Sequence, residues 1–365
     1  MKRLILAGAG HAHLMTLRNL PAFARAGVSV TVVSAGDFHY YSGMGPGLLS
    51  CIYRPEETRF DIRQMTEARG ATFLQGVVER IDAANRRVML ADGRALEYDF
   101  LSCNLGSDVI ALPGASPDLI PVKPIGNLYR AGVDIRSRLK DGPLRVAVIG
   151  GGPAGVELAG NLLRLGKAAA HPLAVTLVSR DNLLMRYPPE ARMLALASLR
   201  KRGATVLERK AVRQVETSQI VLESGEPVAF DLAVNAAGIG PSSVFGHSGL
   251  PVSKDGGLRV NSYLQCVSDP AIFGGGDGIH FDPRTLDRVG VYAVRQGPVL
   301  YRNLTAALGG KPLNAFVPQA RYLSILNLGD GRGILAWRSL ILSGRFAFWL
   351  KDFIDRAFMR RFQKE

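Results

Sequence analysis

Two stretches place glycines where a backbone must bend around a phosphate. "RLILAGAGHAHLMTLRNL" runs from Arg3 to Leu20, and "RVAVIGGGPAGVELAGNLLRLG" from Arg145 to Gly166. Each is an apolar run, a Gly-rich turn and a helical pattern. The glycines allow a tight turn and close approach to a pyrophosphate. The helix then offers free N–H groups and the positive end of its dipole. Gly150, Gly152 and Gly155 complete the G-x-G-x-x-G spacing, with Pro153 inside the same loop. Gly8 and Gly10 begin it in the first copy, but His13 stands where the third glycine belongs. That glycine lets helix and strand pack closely, so the first helix is expected to sit slightly further out. Another β-type run follows each copy ("VSVTVVS" and "AVTLVS"), which predicts two dinucleotide folds. His11 and His13 form an H-x-H pair. No further ligand cluster is visible, so they read as phosphate-loop or packing residues and no metal is expected.

The rest of the chain must position these loops. Its 365 residues, 47% hydrophobic, suffice for two domains with real cores. A net charge of +14 favours acidic partners: nucleic acid, anionic lipid or phosphate-bearing small molecules. No nucleic-acid module is recognisable. Cys51, Cys103 and Cys266 are far apart and lack a CxxC spacing, which points to a reducing, cytoplasmic setting without a disulfide framework. Met1-Lys2-Arg3 and the apolar residues after it read as a first strand rather than a signal peptide. No uncharged apolar run reaches the roughly 18 residues of a membrane span.

Further landmarks resemble the pyridine-nucleotide flavoprotein oxidoreductases. "IFGGGDGIHF" (272–281) is similar to that family's second flavin fingerprint, which implies that Gly276 and Asp277 bind FAD, Asp277 at the ribityl chain. "YDFLSCNLGS" (98–107) and "FDLAVNAAGIGP" (230–241) resemble the strand–turn segments at the domain crossings, with Gly106 and Gly238 in their turns. Disulfide reductases of the family carry a Cys-x4-Cys pair where this chain has "FHYYSGMGPGLLSC" and only Cys51. Sulfide:quinone oxidoreductases also need paired cysteines. What remains resembles the type II NADH dehydrogenases, above all small relatives that stand alone or precede selenophosphate synthetase. "GAGHAH", "YYSGMGPGLL", "VYAVRQGPVL" and "WLKDFIDRAFMRRF" carry that likeness.

The chain departs from the pattern at several points. An acid normally ends the second strand of each fold and binds the ribose 2′-OH. Here the first strand ends at Ser34, with Asp37 the nearest acid, and the second at Ser179-Arg180. A serine and an arginine suit a 2′-phosphate, since guanidinium binds phosphate through a fork. Asp181 on the ribose is the alternative, so NADH and NADPH both stay open. The quinone-lining Ala-Gln-x-Ala-x-Gln motif of type II enzymes becomes "GVYAVR", with Gln296 one place further on. Arg295 and Gln296 are candidates for stabilising reduced flavin or binding the acceptor. Glu157, in "GGPAGVE", is the candidate for proton exchange, with a dipole-favoured carboxylate as the plainer reading. Lys123 in "IPVKPIG" is a weaker candidate.

The tail is amphipathic. On a helix at ~100° per residue, Phe346, Trp349, Leu350, Phe353, Ile354 and Ala357 share one face, and Asp352, Asp355, Arg356 and Gln363 lie opposite. Residues 338–365 hold seven Lys/Arg and three Asp/Glu. This composition suits an anionic bilayer surface; packing on the flavin domain, or on a second subunit as a homodimer, is the alternative.

The expected fold is therefore α/β, with two Rossmann-like domains in a glutathione-reductase-like flavoprotein. Residues 1–112 and 246–312 would bind FAD, 113–245 would bind NAD(P)H, and 313–365 would form a cap. The expected function is hydride transfer from NAD(P)H to FAD and then electron transfer to a quinone, peripherally on the cytoplasmic membrane face. A soluble reductase of a protein carrier or of a sulfur or selenium compound is the rival reading.

Overall fold

A computed structural model of the chain describes residues 1–363; Lys364 and Glu365, the last charges of the tail, lie outside the described residues. Two five-stranded sheets, all parallel within themselves, organise the molecule. The first runs Ile272–Gly274, Phe100–Cys103, Lys2–Ala7, Val28–Ser34, Thr72–Gln75. The second runs Leu119–Pro121, Leu232–Asn235, Leu144–Ile149, Leu173–Val178, Thr205–Leu207. Their central strands are buried from Leu4 to Ala7 and from Val146 to Ile149. That continuity is the signature of parallel strands covered on both faces. Ile272–Gly274 completes the first sheet only after the chain has passed through the whole second sheet.

Each central strand runs directly into a glycine loop wedged against the neighbouring strand's end. A Cβ at Gly8 would lie 2.3 Å from the Asn104 carbonyl oxygen, and one at Gly150 2.2 Å from that of Ala236. The copies diverge at the third position. A Cβ at Gly155 would lie 1.8 Å from the Gly150 carbonyl oxygen, so the helix Pro153–Lys167 sits directly on its loop and runs unbroken. In the first fold the His13 imidazole is fully buried, its Nδ1 2.6 Å from the Gly8 carbonyl oxygen and its Nε2 2.8 Å from Ser102 Oγ. Burial pushes its pKa down to about 4, so the ring is neutral at pH 7. Nδ1 then donates to Gly8, and Ser102 donates to Nε2. The chain here forms three short pieces, His11–His13, Leu14–Arg18 and Leu20–Arg25. A buried ring and a broken helix thus stand in for close glycine packing.

The C-terminal segment joins both cores. An antiparallel sheet of Ser324–Asn327, Gly333–Trp337 and Leu340–Gly344 gives Leu326 and Ile334 to the second core. The helix Arg345–Gln363 follows and gives Met359 and Phe362 to the first. Its orientation reverses the ordinary rule. Ala347, Lys351, Asp355, Met359 and Phe362 are buried, while Phe346, Trp349, Phe353 and Ile354 are exposed. Asp355 lies away from the apolar stripe and is buried rather than turned to solvent, while Gln363, placed on the same side, is exposed.

Gly155→Ala is expected to cost about 1–3 kcal/mol through overpacking, read as a lower urea midpoint. A midpoint equal to that of wild type would contradict the close contact.

Candidate active site

The first cradle is built around Asn104, just beyond the strand Phe100–Cys103. A Cβ at Gly10 would lie 2.7 Å from Asn104 Oδ1, and one at Gly276 2.5 Å from it. The Asn104 side chain therefore lies between the glycine loop and the "GGGDG" turn. Asn104 Nδ2 and His11 Nε2 are buried without a hydrogen-bond partner. Buried polar atoms are normally paired, and two orphans beside a phosphate-type loop fit a bound dinucleotide. These residues fit FAD. Asn104 was not singled out by the sequence pattern, although it lies inside the "YDFLSCNLGS" segment.

Asp277 accepts hydrogen bonds from Lys123 Nζ at 2.9 Å and Ser107 Oγ at 3.0 Å, and its backbone carbonyl accepts from Arg288 Nε at 2.9 Å. Gly106 stands beside this group, its carbonyl oxygen 3.1 Å from where a Cβ at Gly278 would lie. Lys123, the weaker candidate, is thereby brought to the fingerprint carboxylate. At the end of Val28–Ser34, Ser34 Oγ donates to the Gly36 carbonyl at 2.8 Å, and Asp37 is held by Arg63 at 2.9 Å.

Arg295 and Gln296 do not act together. Gln296 is buried, and its Oε1 accepts the Gly276 N–H at 2.7 Å. Arg295 is exposed. The Gln296 amide thereby holds the fingerprint turn in place. Adjacent helical residues point about 100° apart, which is why the two separate.

The second cradle is open at its helix end. Gly152 caps Pro153–Lys167 with no side-chain hydrogen bond, and a Cβ there would meet nothing within 4 Å. Free N–H groups at such an end favour a pyrophosphate. Gly238 turns near Ile110, whose Cδ1 would lie 3.2 Å from an added Cβ. Ser179 and Arg180 follow the strand Leu173–Val178, Ser179 buried and Arg180 exposed.

Between the cradles lies a buried charged cluster supplied largely by the tail. Lys351 Nζ donates to Asp355 Oδ2 at 2.8 Å and to the Gly43 carbonyl at 2.7 Å. Tyr41 donates to Asp355 Oδ1 at 3.1 Å. Phe358 packs on Tyr41 with ring centroids 4.8 Å apart, and on His11 at 6.2 Å. His11 Nδ1 lies 3.2 Å from His39 Nε2. Burial lowers both histidines, so both are neutral at pH 7. Glu157 reaches this cluster from the second fold, its Oε1 accepting the Asn327 N–H at 2.7 Å. Burial pushes its pKa up to about 7, against the pull of Lys351. Burial alone would lower Lys351, but the Asp355 and Glu157 carboxylates outweigh it and hold the ammonium above its ordinary value. A carboxyl poised near neutrality can exchange a proton with a reacting group. Lys351 and Asp355 were invisible as site residues because an amphipathic reading sends polar tail residues to solvent; Tyr41 lies inside the quoted "YYSGMGPGLL" segment without being singled out.

Among the described residues no group of three or more His, Cys, Asp or Glu is placed to hold a metal ion. Cys51, Cys103 and Cys266 are free thiols.

Two glycine cradles at the ends of two parallel sheets define a two-domain dinucleotide-binding protein. The chain belongs to the pyridine nucleotide-disulphide oxidoreductase family, whose model matches residues 2–297. It is an FAD- and NAD(P)H-dependent oxidoreductase with the two-domain, glutathione-reductase-like flavoprotein fold. It is similar to the NADH dehydrogenase-like protein YutJ of Bacillus subtilis, 25% identical over 369 residues that cover 96% of this chain and 97% of the relative. It is also similar to the demethylphylloquinone reductase NdbB of Synechocystis, 28% identical over 300 residues, 75% of this chain and 71% of the relative. The solved sulfide:quinone oxidoreductase of Aquifex aeolicus superposes with a TM-score of 0.80 at 14% identity, over 100% of this chain and 92% of that one, a likeness of fold alone.

Two outcomes follow from the cluster. Lys351→Met leaves Asp355 buried and unpaired and is expected to cost about 3–5 kcal/mol, measured by denaturant unfolding; an unchanged stability would contradict the buried pair. Folded Glu157 keeps its proton up to about pH 7, whereas unfolded glutamate loses it near pH 4.3. Its contribution is therefore fully present below the unfolded value and is lost as pH rises through about 7. The stability difference between wild type and Glu157→Gln should move against wild type across that window. A pH-independent difference would contradict the raised carboxyl.

Proposed function

We propose that the chain is an NAD(P)H:quinone oxidoreductase of the type II NADH dehydrogenase kind, lying peripherally on an anionic membrane face. Residues 1–112 and 246–312 form its FAD domain, 113–245 its NAD(P)H domain and 313–365 its cap. FAD, when bound, supplies the hydride acceptor and passes two electrons onward. The chain's residues supply position and protons. Gly8, Gly10, His11 and Asn104 hold the first dinucleotide, and Lys123, Ser107 and Asp277 fix its polyol side. Gly150, Gly152, Pro153 and Gly155 hold the second. Glu157 exchanges a proton, and Lys351 steadies its charged form.

The observation that carries this reading is the apolar ridge on the outer side of the helix whose inner side holds the cluster. Phe346, Trp349, Phe353 and Ile354 are exposed there, as are Trp337, Leu340 and Leu342 on the adjoining hairpin. Arg338, Arg345, Arg360 and Arg361 are exposed around them. No helix among the described residues is long and apolar enough to cross a membrane. An apolar face bordered by cations suits the interfacial plane instead. There a lipid-soluble acceptor would meet the tail helix directly, and no protein dithiol is needed. The names of the relatives, an NADH dehydrogenase-like protein and a demethylphylloquinone reductase, support the same reading.

Wild-type protein should sediment with vesicles of anionic lipid and shift tryptophan emission to the blue, and Trp349→Ser/Phe353→Ser should lose both. Equal sedimentation by the variant sinks the membrane reading, and a concentration-dependent dimer that the variant abolishes assigns the ridge to a second copy. Glu157→Gln is expected to lower quinone-dependent kcat by about 100-fold while NAD(P)H still bleaches the flavin. Retention of the full quinone rate would remove Glu157 from the proton step.

A further inference from the structure

The strand end that meets the nicotinamide dinucleotide's adenosine ribose carries no carboxylate of its own. Ser179 occupies it, buried, with Oγ donating to the Asp181 carbonyl at 2.6 Å. This serine abuts the phosphate loop: a Cβ at Gly151 would lie 2.0 Å from Ser179 Oγ. A ribose that follows a pyrophosphate on that loop is therefore delivered to Ser179 and the residue after it. That residue, Arg180, has a side chain 81% exposed.

The neighbouring strand brings more positive charge to the same rim. Ser179 N–H donates to the Leu207 carbonyl at 2.9 Å, Lys210 N–H to the Ser179 carbonyl at 2.9 Å, and Arg209 N–H to the Asp181 carbonyl at 3.4 Å. These bonds gather Arg180, Arg209 and Lys210. The carboxylate within that turn, Glu208, is spent inward on the Leu183 N–H at 2.8 Å and Arg192 at 2.9 Å. Asp181 lies 3.3 Å from Arg180 Nε, and Glu226 pairs with Lys210. Three cations thus face two carboxylates, and the carboxylate beside the ribose position is neutralised by its neighbour.

Resting on the reading of the second glycine loop as the nicotinamide site, we infer that this rim selects the 2′-phosphate of NADPH over the 2′-hydroxyl of NADH. A free ribose diol is ordinarily taken by a carboxylate that ends the strand; Ser179 stands there instead, and Asp181, two residues on, is engaged by Arg180. A 2′-phosphate needs fork-like donors, and Arg180 offers them beside two further cations.

The test is the rate of flavin reduction in the purified holoenzyme under anaerobic conditions. NADPH should exceed NADH in kcat/KM by at least about tenfold, the ratio falling as salt rises. Arg180→Ala should collapse that ratio, and Lys210→Met should lower it further. Adenosine 2′,5′-bisphosphate should compete more tightly than adenosine 5′-monophosphate, a readout that needs no hydride transfer. A higher kcat/KM for NADH, or equal inhibition by the two nucleotides, overturns the inference while leaving the oxidoreductase reading intact. Failure of both dinucleotides to reduce the flavin overturns that reading, and the inference with it.

Discussion

Close approach between backbone segments is the constraint on which the structure depends. Carbonyl oxygens stand within 2.3 Å of a would-be side chain at Gly8, Gly150 and Gly155. Such contact brings main-chain N–H groups to the ends of two parallel sheets, where the two cradles form. The rest of each domain keeps those ends in register. The cradles are then tied to each other by polar contacts between the folds. Lys123 reaches Asp277 at 2.9 Å, and Ser50 donates to Asn161 Oδ1 at 2.6 Å.

The tail helix obeys a second constraint. Removing a lysine and an aspartate from water is expensive, and pairing repays that cost only with good geometry and further hydrogen bonds. Here Lys351 and Asp355 have both, through the Gly43 carbonyl and Tyr41. An apolar stripe on the same helix was available to fill the interface, and it is turned outward. Stability alone would favour the opposite orientation. A polar cluster beside Glu157 and an apolar ridge outside give the inward orientation a functional reason.

The glycine loops were legible in the sequence because backbone approach leaves few residue choices and spacing exposes them, whereas the flavin fingerprint was legible through its resemblance to a family motif. The parallel strands were legible as apolar runs. Side-chain partnerships were not. That the Gln296 amide oxygen holds the Gly276 N–H depends on packing across the fold. Asn104 and Tyr41 meet their partners only across the fold. Sequence periodicity placed Phe346, Trp349, Phe353 and Ile354 on one face of the tail but could not decide which side was buried, because hydrophobicity ranks faces without knowing what the facing surface offers.

The proposed electron route runs from one nicotinamide site through one flavin site to a quinone. An anaerobic titration of the yellow holoprotein tests it most directly, following absorbance near 450 nm. Stoichiometric bleaching by NAD(P)H is expected, with full recovery on adding a menaquinone or ubiquinone analogue. Bleaching that no quinone reverses would contradict the acceptor, and absence of bleaching would contradict the role given to the second glycine loop.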